Sequence, residues 1–327
     1  MPKAYFLIKG KRLTTFYIAE KVCGRPHIIS APSHINMSGI KEANVVLAGN
    51  VGDTVVIPNH VTSIGKYAFE NSKMTKVIIP PSVTEISPFA FCNCHNLRTV
   101  MWGQNCKKVP LGCFAGSENL VSVKRLDNVT SVAENAFNGC SSLTCVEFKN
   151  VTSIGMAAFK YCESLETISG LSNVISVGKQ CFVDCKSLES VEFSILRRLQ
   201  EYAFSGCEKL RNISGLNNTV HIGNSAFADC KSLETFTWPE TCDIIPYLCF
   251  NGCRSLTSIN IGANVSMVKN QAFQRTGLTE LDLSSTKVAY IPANLAKHSR
   301  DLVAVKLPYY ITNINRNALK GTTATFQ

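Results

Sequence analysis

The same pattern of hydrophobic and polar residues repeats every 22 or 23 residues along most of the chain. A phenylalanine marks each copy, with an aliphatic residue five positions before it, a leucine six after and a further apolar residue nine after. Positions are numbered from this phenylalanine, so that +3 lies three residues after it. Ala296 and Leu319 take its place in the last two of twelve copies. The phenylalanines are Phe69, Phe91, Phe114, Phe137, Phe159, Phe182, Phe204, Phe227, Phe250 and Phe273.

The pattern within one period predicts the structure of a single coil. The segment L-x-x-V-x-F ends in alternation, which indicates a short strand with one buried face. The segment x-x-A-F-x-x-C is too short for a full helix and favours a helical turn or a 3₁₀ piece. Gly, Asn or Asp at position +2 (Asn93, Gly116 and Asp184 are examples) indicates a tight turn with positive φ.

A period of 20–29 residues is typical of leucine-rich repeats. We therefore predict a right-handed leucine-rich repeat solenoid of about twelve coils, each burying its apolar edge against its neighbours. A parallel β-sheet would form the concave face, with short helical or 3₁₀ turns on the other side. We expect residues 1–51 to form an N-terminal non-repeat cap segment and residues 52–327 to form the solenoid.

Three segments, VTSIGKYAF, VTSIGMAAFKYCESL and AFNGCSSLTCVEF, resemble the BspA-like leucine-rich repeat family. The resemblance runs from about residue 52 to 321 with twelve motifs in register. Only LTELDLSSTKVAYIP, residues 278–292, departs toward the ordinary leucine-rich pattern. Proteins of this kind include surface adhesins and host-interacting proteins of bacteria and protozoan parasites. The resemblance implies a protein-binding scaffold with no enzymatic activity and no cofactor.

Fifteen cysteines raise the question of a metal, redox or disulfide role, and their positions argue against each. Seven of them share position +3, which holds Ser or Thr in the other copies, so the position needs a small, weakly polar side chain. No C-x-x-C pair occurs, and a zinc site needs four converging ligands. Parallel Cβ directions in stacked coils disfavour disulfides. We predict buried, reduced thiols, except at Cys145, which takes a +8 position in the outward strand and is a candidate exposed thiol.

The outward face of the strands holds the candidate binding residues. Position +8 is small and polar in the central coils, whereas positions +7 and +10 carry an acidic stripe within a chain of net charge +10. Such a stripe could receive a basic segment of a protein partner, and the alternative is a solvated face that keeps the sheet soluble. The candidate partner-binding residues are Glu147, Glu166, Glu189, Glu192, Arg211 and Glu234.

The sequence gives little support to a catalytic, nucleic-acid-binding or membrane-spanning function. The six histidines share no position, and no phosphate-binding glycine loop occurs, so we expect neither catalysis nor nucleic-acid binding. No apolar run reaches the roughly 18 residues that span a bilayer. The apolar run Ala4 to Ile8 is too short for a secretory signal, which favours the cytoplasm, with the cell surface as the alternative that the resemblance implies.

We expect a monomeric protein-interaction or adhesion scaffold. The rival hypotheses are an intracellular structural scaffold without a dedicated ligand and a glycan-binding surface protein. The latter would need aromatic residues on the concave face, and the outward positions offer none.

Overall fold

The computed structural model describes residues 17–22, 25–30 and 54–327, so most of the predicted cap segment and Cys23 lie outside the described residues. Two compact units, residues 1–151 and 152–327, are described separately below. In both, short strands are joined by turns, and the described residues contain no helix. A domain boundary after residue 51 therefore remains a prediction.

The first unit stacks its coils through two ladders of parallel strands. Three-residue strands form the sheet β3-β5-β7-β9-β11, and two-residue strands pair as β4-β6 and β8-β10. The antiparallel pair β1-β2 joins the short-strand ladder because β2 runs parallel to β4. The strands are β1 (Tyr17–Val22), β2 (Arg25–Ser30), β3 (Thr54–Val56), β4 (Ser63–Ile64), β5 (Lys76–Ile78), β6 (Glu85–Ile86), β7 (Thr99–Met101), β8 (Lys108–Val109), β9 (Ser122–Lys124), β10 (Ser131–Val132) and β11 (Cys145–Glu147).

The second unit repeats this arrangement. Its longer strands form β13-β15-β17, β19-β21 and β23-β25-β27, and its short strands form β12-β14-β16-β18, β20-β22 and β24-β26. The strands are β12 (Ser153–Ile154), β13 (Thr167–Ser169), β14 (Ser176–Val177), β15 (Ser190–Glu192), β16 (Arg198–Leu199), β17 (Asn212–Ser214), β18 (His221–Ile222), β19 (Thr235–Thr237), β20 (Ile244–Ile245), β21 (Ser258–Asn260), β22 (Met267–Val268), β23 (Glu280–Asp282), β24 (Tyr290–Ile291), β25 (Ala304–Lys306), β26 (Asn313–Ile314) and β27 (Thr325–Phe326).

These parallel ladders confirm the predicted stack of leucine-rich repeat coils. The sequence pattern predicted one strand per coil, and the structure has two. The second strand contains the aliphatic residue at −5, and two residues are enough for it because each coil needs only one inward side chain there. A two-residue strand shows no alternation along the chain, so the period-2 pattern could not reveal it.

Stacked phenylalanine rings form the centre of each unit. Ring centroids of Phe69 and Phe91 lie 5.1 Å apart in the first unit, and those of Phe182 and Phe204 lie 5.0 Å apart in the second. All four side chains are fully buried, and both pairs are close to parallel. Each ring therefore packs on the equivalent ring of the next coil, which explains the constancy of this position.

The turn that carries the phenylalanine is not a continuous 3₁₀ helix. Cys207 N–H donates to the Phe204 carbonyl three residues earlier, at 3.2 Å. Phe204 and Gly206 donate instead to Ala226 and Ala228 of the next coil, both at 2.8 Å. Successive N–H groups thus alternate between hydrogen bonds within the turn and hydrogen bonds to the next coil. The helical turn predicted here is reduced to single i→i−3 hydrogen bonds.

Two positive φ angles in every coil but the last explain this interruption. In the coil of Phe204, Gly206 at +2 has φ 77° and Tyr202 at −2 has φ 57°. The +2 site was predicted from its Gly, Asn and Asp residues. The −2 site was missed because it often holds side chains such as Tyr202, Gln180 and Leu248, all with positive φ. For a non-glycine residue this conformation costs about 1–2 kcal/mol, so stacking across coils must impose it.

Candidate functional site

The acidic stripe lies on the outward face of the longer strands, hereafter the sheet face. All six predicted partner-binding residues are exposed. In the second unit, Glu189 N–H donates to the Glu166 carbonyl at 3.3 Å, and Arg211 N–H donates to the Glu189 carbonyl at 2.9 Å. These three residues therefore lead directly into the neighbouring strands β13, β15 and β17, one beside the next.

Glu192 ends β15 on the same sheet, opposite Ser214 of β17. The structure thus groups four of the six predicted residues. Glu234 precedes β19, which pairs with β21 in a separate ladder. Glu147 ends β11 in the first unit. Glu166, Glu189, Glu192 and Arg211 therefore form one cluster on β13, β15 and β17. Glu234 lies beyond this sheet in the second unit, and Glu147 belongs to the first unit.

Among the described residues, no ion pair neutralises the cluster. Within the described part of the second unit, ion pairs join Lys179 to Glu201, Lys186 to Glu163, Lys231 to Glu208 and Lys306 to Glu280, and none of them includes a cluster residue. The side chains around the cluster are small and polar: Thr167, Ser190 and Asn212 occupy position +8. Three exposed carboxylates and one guanidinium thus flank a column of small uncharged side chains.

The +3 cysteines are buried, as predicted, and the structure shows why this position accepts only Cys, Ser or Thr. The Cys207 thiol donates to the carbonyl of Phe182, the marker residue of the preceding coil, at 3.1 Å. Cys253 makes the equivalent bond to Phe227 at 3.0 Å. Where the position holds serine, Ser299 donates to Phe273 at 2.8 Å. The position therefore requires a small donor that satisfies one backbone carbonyl.

Burial also determines the acidity of these thiols. It raises the pKa of Cys94 to about 12, and it raises the pKa of Cys185 and Cys230 well above the ordinary range of a thiol. The physical cause in each case is loss of solvent around a would-be thiolate. Only the thiolate reacts as a nucleophile or binds metal, so these protonated cysteines are poor nucleophiles and poor metal ligands.

Cys145 is the exposed exception among the described cysteines, all of which are free thiols. It begins β11 on the sheet face of the first unit, opposite Ser122 of β9. Its position agrees with the outward placement expected from the +8 column. A functional role for this thiol remains a prediction.

Two further features, a metal-binding cluster and a membrane-spanning helix, are absent from the described residues. No group of three or more His, Cys, Asp or Glu side chains there could hold a metal ion. No helix in the described part of the chain is long and apolar enough to cross a membrane.

One surface feature was not predicted from the sequence. A depression of about 580 Å³ in the second unit is lined by Arg254, Arg275, Thr276, His298, Arg300 and Asp301. The repeat pattern does not reveal it, because Arg254 and Arg300 share position +4 but lie two coils apart, and Arg275 occupies +2 of the coil between them. A charge count by segment could have indicated it, since residues 254–327 hold nine of the basic and only three of the acidic side chains.

Comparison with known proteins identifies the repeat. The family profile described as BspA type leucine rich repeat region matches six copies, over residues 51–162, 130–250 and 220–326. No relative was found among curated proteins.

Solved structures add the fold. A leucine-rich repeat protein from Bacteroides ovatus is 21% identical, with 100% of this chain and 98% of the other covered and a TM-score of 0.59. A leucine rich cell surface protein from Faecalibacterium prausnitzii is also 21% identical, with 100% and 95% covered and a TM-score of 0.47. The T. pallidum leucine rich repeat protein is 25% identical over 56% of this chain and 78% of its own, with a TM-score of 0.43. The profile match extends over residues 51–326, and the chain therefore belongs to the BspA type leucine rich repeat family.

Proposed function

We propose that this protein is a non-enzymatic interaction scaffold whose sheet face in the second unit binds a basic segment of a protein partner. One observation carries the proposal. Glu166 and Glu189 stand at equivalent positions of adjacent coils, exposed and without an ion pair in the described structure. Like charges on directly neighbouring strands destabilise a sheet, so the fold gains nothing from this pair.

The repulsion between the Glu166 and Glu189 carboxylates is small enough for the fold to tolerate, and a bound cation would relieve it. Neighbouring strands lie about 4.8 Å apart, where two like charges in water repel by about 0.9 kcal/mol. A lysine or arginine placed between Glu166 and Glu189 would relieve this repulsion and gain attraction from both carboxylates. Arg211 beside Glu189 relieves the repulsion on one side only. A partner with basic residues at matching spacing would therefore be drawn in by electrostatic steering, which raises the association rate more than the final affinity.

The two rival functions differ in what they require of this face. A glycan site would need aromatic platforms, and the outward positions of the longer strands among the described residues hold no Trp, Tyr or Phe. A structural scaffold without a dedicated ligand would not depend on the charge of these residues. Adhesion at the cell surface and interaction inside the cell would use the same face, and localisation of a tagged chain by protease shaving of whole cells separates them.

Charge reversal tests the proposal. The variant Glu166→Lys, Glu189→Lys, Glu192→Lys, Glu234→Lys and the wild-type chain are each used to capture partners from the native proteome. The matched control makes the same charge change away from the sheet face, with Glu201, Glu208, Glu240 and Asp243 replaced by Lys.

We expect the sheet-face variant to lose basic partners that the control retains. Wild-type capture should also weaken as salt is raised, because the contacts are exposed to solvent. An identical set of partners for the wild type and the sheet-face variant would refute the proposal.

A further inference from the structure

The basic depression lies on the turn side of the second unit and includes none of the sheet-face residues. Elsewhere on this side, residues at +4 pair across adjacent coils. Lys186 Nζ lies 2.9 Å from a Glu163 carboxylate oxygen, and Lys231 Nζ lies 2.8 Å from Glu208. Acid and base therefore alternate along this column as far as Lys231, and Arg254 in the next coil breaks the alternation.

Arg254 has no acidic neighbour in this column. The following coil holds Gly277 at +4, and the segment between its turn and its strand is one residue short because Leu278 comes five, not six, residues after Phe273. A Cβ added to Gly277 would collide with the carbonyl oxygen of Arg254, so no side chain fits there. The next side chain in the column is that of Arg300, two coils from Arg254, which corresponds to about 10 Å of stacking. The lack of a side chain at Gly277 thus leaves an open space between two arginines.

Further cationic and donor groups face this space. Arg275 and His298, both exposed at position +2 of their coils, line the same depression, together with Asp301 as its one carboxylate. None of the three arginines takes part in an ion pair among the described residues. Three guanidinium groups and one carboxylate leave the lining with two uncompensated positive charges.

We propose that this depression binds a small ligand carrying a phosphate monoester. A phosphate monoester has a charge of about −1.5 to −2 at pH 7, which matches the uncompensated charge, whereas a carboxylate or phosphodiester supplies only one. Guanidinium groups present planar forks of N–H donors that suit phosphate oxygens. The volume of about 580 Å³ exceeds that of the phosphate alone and lies within the range of small-molecule sites, which leaves room for the esterified group. Asp301 would accept a hydrogen bond from a hydroxyl of that group.

Titration calorimetry tests this with inorganic phosphate, glycerol phosphate as the monoester and dimethyl phosphate as the diester, at ionic strength held constant with sodium chloride. We expect saturable binding of glycerol phosphate and much weaker binding of the diester. Equal affinities for inorganic phosphate and the monoester would support the site and identify free phosphate as sufficient. Equal affinities for monoester and diester would contradict the charge argument and overturn the proposal.

Variants locate the site. Arg254→Gln and Arg300→Gln should each weaken monoester binding about tenfold, the loss of one charge-assisted hydrogen bond. Asp301→Asn should strengthen it several-fold, because it removes the only negative charge of the lining.

Two matched controls, Arg197→Gln and Glu240→Gln, change exposed charges elsewhere in the second unit and should leave binding unchanged. The altered residues are exposed, and circular dichroism would verify the fold of each variant. No saturable binding by the wild type, or unchanged binding by both arginine variants, would overturn the proposal and would leave the sheet-face function unaffected.

Discussion

Ionisation of the buried thiols should unfold the protein at mildly alkaline pH. Six cysteines of the second unit have fully buried side chains and a pKa that burial raises: Cys181, Cys185, Cys207, Cys230, Cys249 and Cys253. In the unfolded chain a thiol titrates near pH 8.5. The folded state holds these protons more tightly, so the stabilisation is complete below about pH 8.5 and declines as the pH rises toward the folded-state pKa.

The size of the effect follows from the number of thiols. One pH unit above the unfolded-state pKa, each thiol costs about 1.4 kcal/mol of stability, and six together cost about 8 kcal/mol. This is comparable to the entire stability of a typical domain, about 5–15 kcal/mol. Cys242 adds a seventh thiol with a raised pKa to the second unit, whereas the first unit has four, Cys92, Cys94, Cys106 and Cys113, which account for about 6 kcal/mol. The second unit should therefore unfold at lower pH than the first.

The two tryptophans make the comparison measurable. Trp102 is buried in the first unit and Trp238 in the second. Trp238→Phe leaves a fluorescence signal from the first unit, and Trp102→Phe leaves one from the second. Urea titrations at pH 7.5 and 9.5, under reducing conditions, should show a larger drop of the midpoint for the Trp238 signal than for the Trp102 signal.

The control replaces two of the six thiols by serine, in the variant Cys207→Ser, Cys253→Ser, and should reduce the pH dependence of the second unit by about a third. A Trp238 midpoint that is the same at both pH values would refute the reasoning. So would a larger shift in the first unit than in the second.

Three further predictions follow from single residues. Cys207→Ala should destabilise the second unit by about 1–2 kcal/mol and Cys207→Ser by less, measured by urea unfolding, because serine keeps the hydrogen bond to the Phe182 carbonyl; equal losses would contradict the donor argument. Ser225→Gly should stabilise by about 1–2 kcal/mol, seen as a higher melting temperature, because Ser225 has positive φ and a buried hydroxyl with no hydrogen-bond partner among the described residues; a lower melting temperature would count against it. Native-state thiol labelling of the described cysteines should modify Cys145 first, and rapid modification of Cys140 or Cys162 would show that the interior opens.

The candidate sites were accessible from the sequence to different degrees. The exposure of Glu166 and Glu189 follows from their place beside an inward leucine, because strand and coil periodicity assign each position a direction. Their grouping with Arg211, apart from Glu234, depends on which strands pair, and β17 and β19 belong to different ladders. The depression that we propose to bind phosphate could not be predicted from the repeat pattern. Its residues come from three coils, and its space arises at Gly277, which has no side chain.

The properties of a single coil follow from the sequence alone: its length, its inward residues and the requirement for a small residue at +3. These properties repeat in every copy, because each coil buries its apolar edge in the same way against equivalent neighbours. The contacts between coils follow only from the folded structure. The second strand, the positive φ of Tyr202 and the thiol bond from Cys207 to Phe182 all arise from hydrogen bonds between neighbouring coils. Such bonds join residues about 22–26 positions apart in the chain, and no pattern within one period records them.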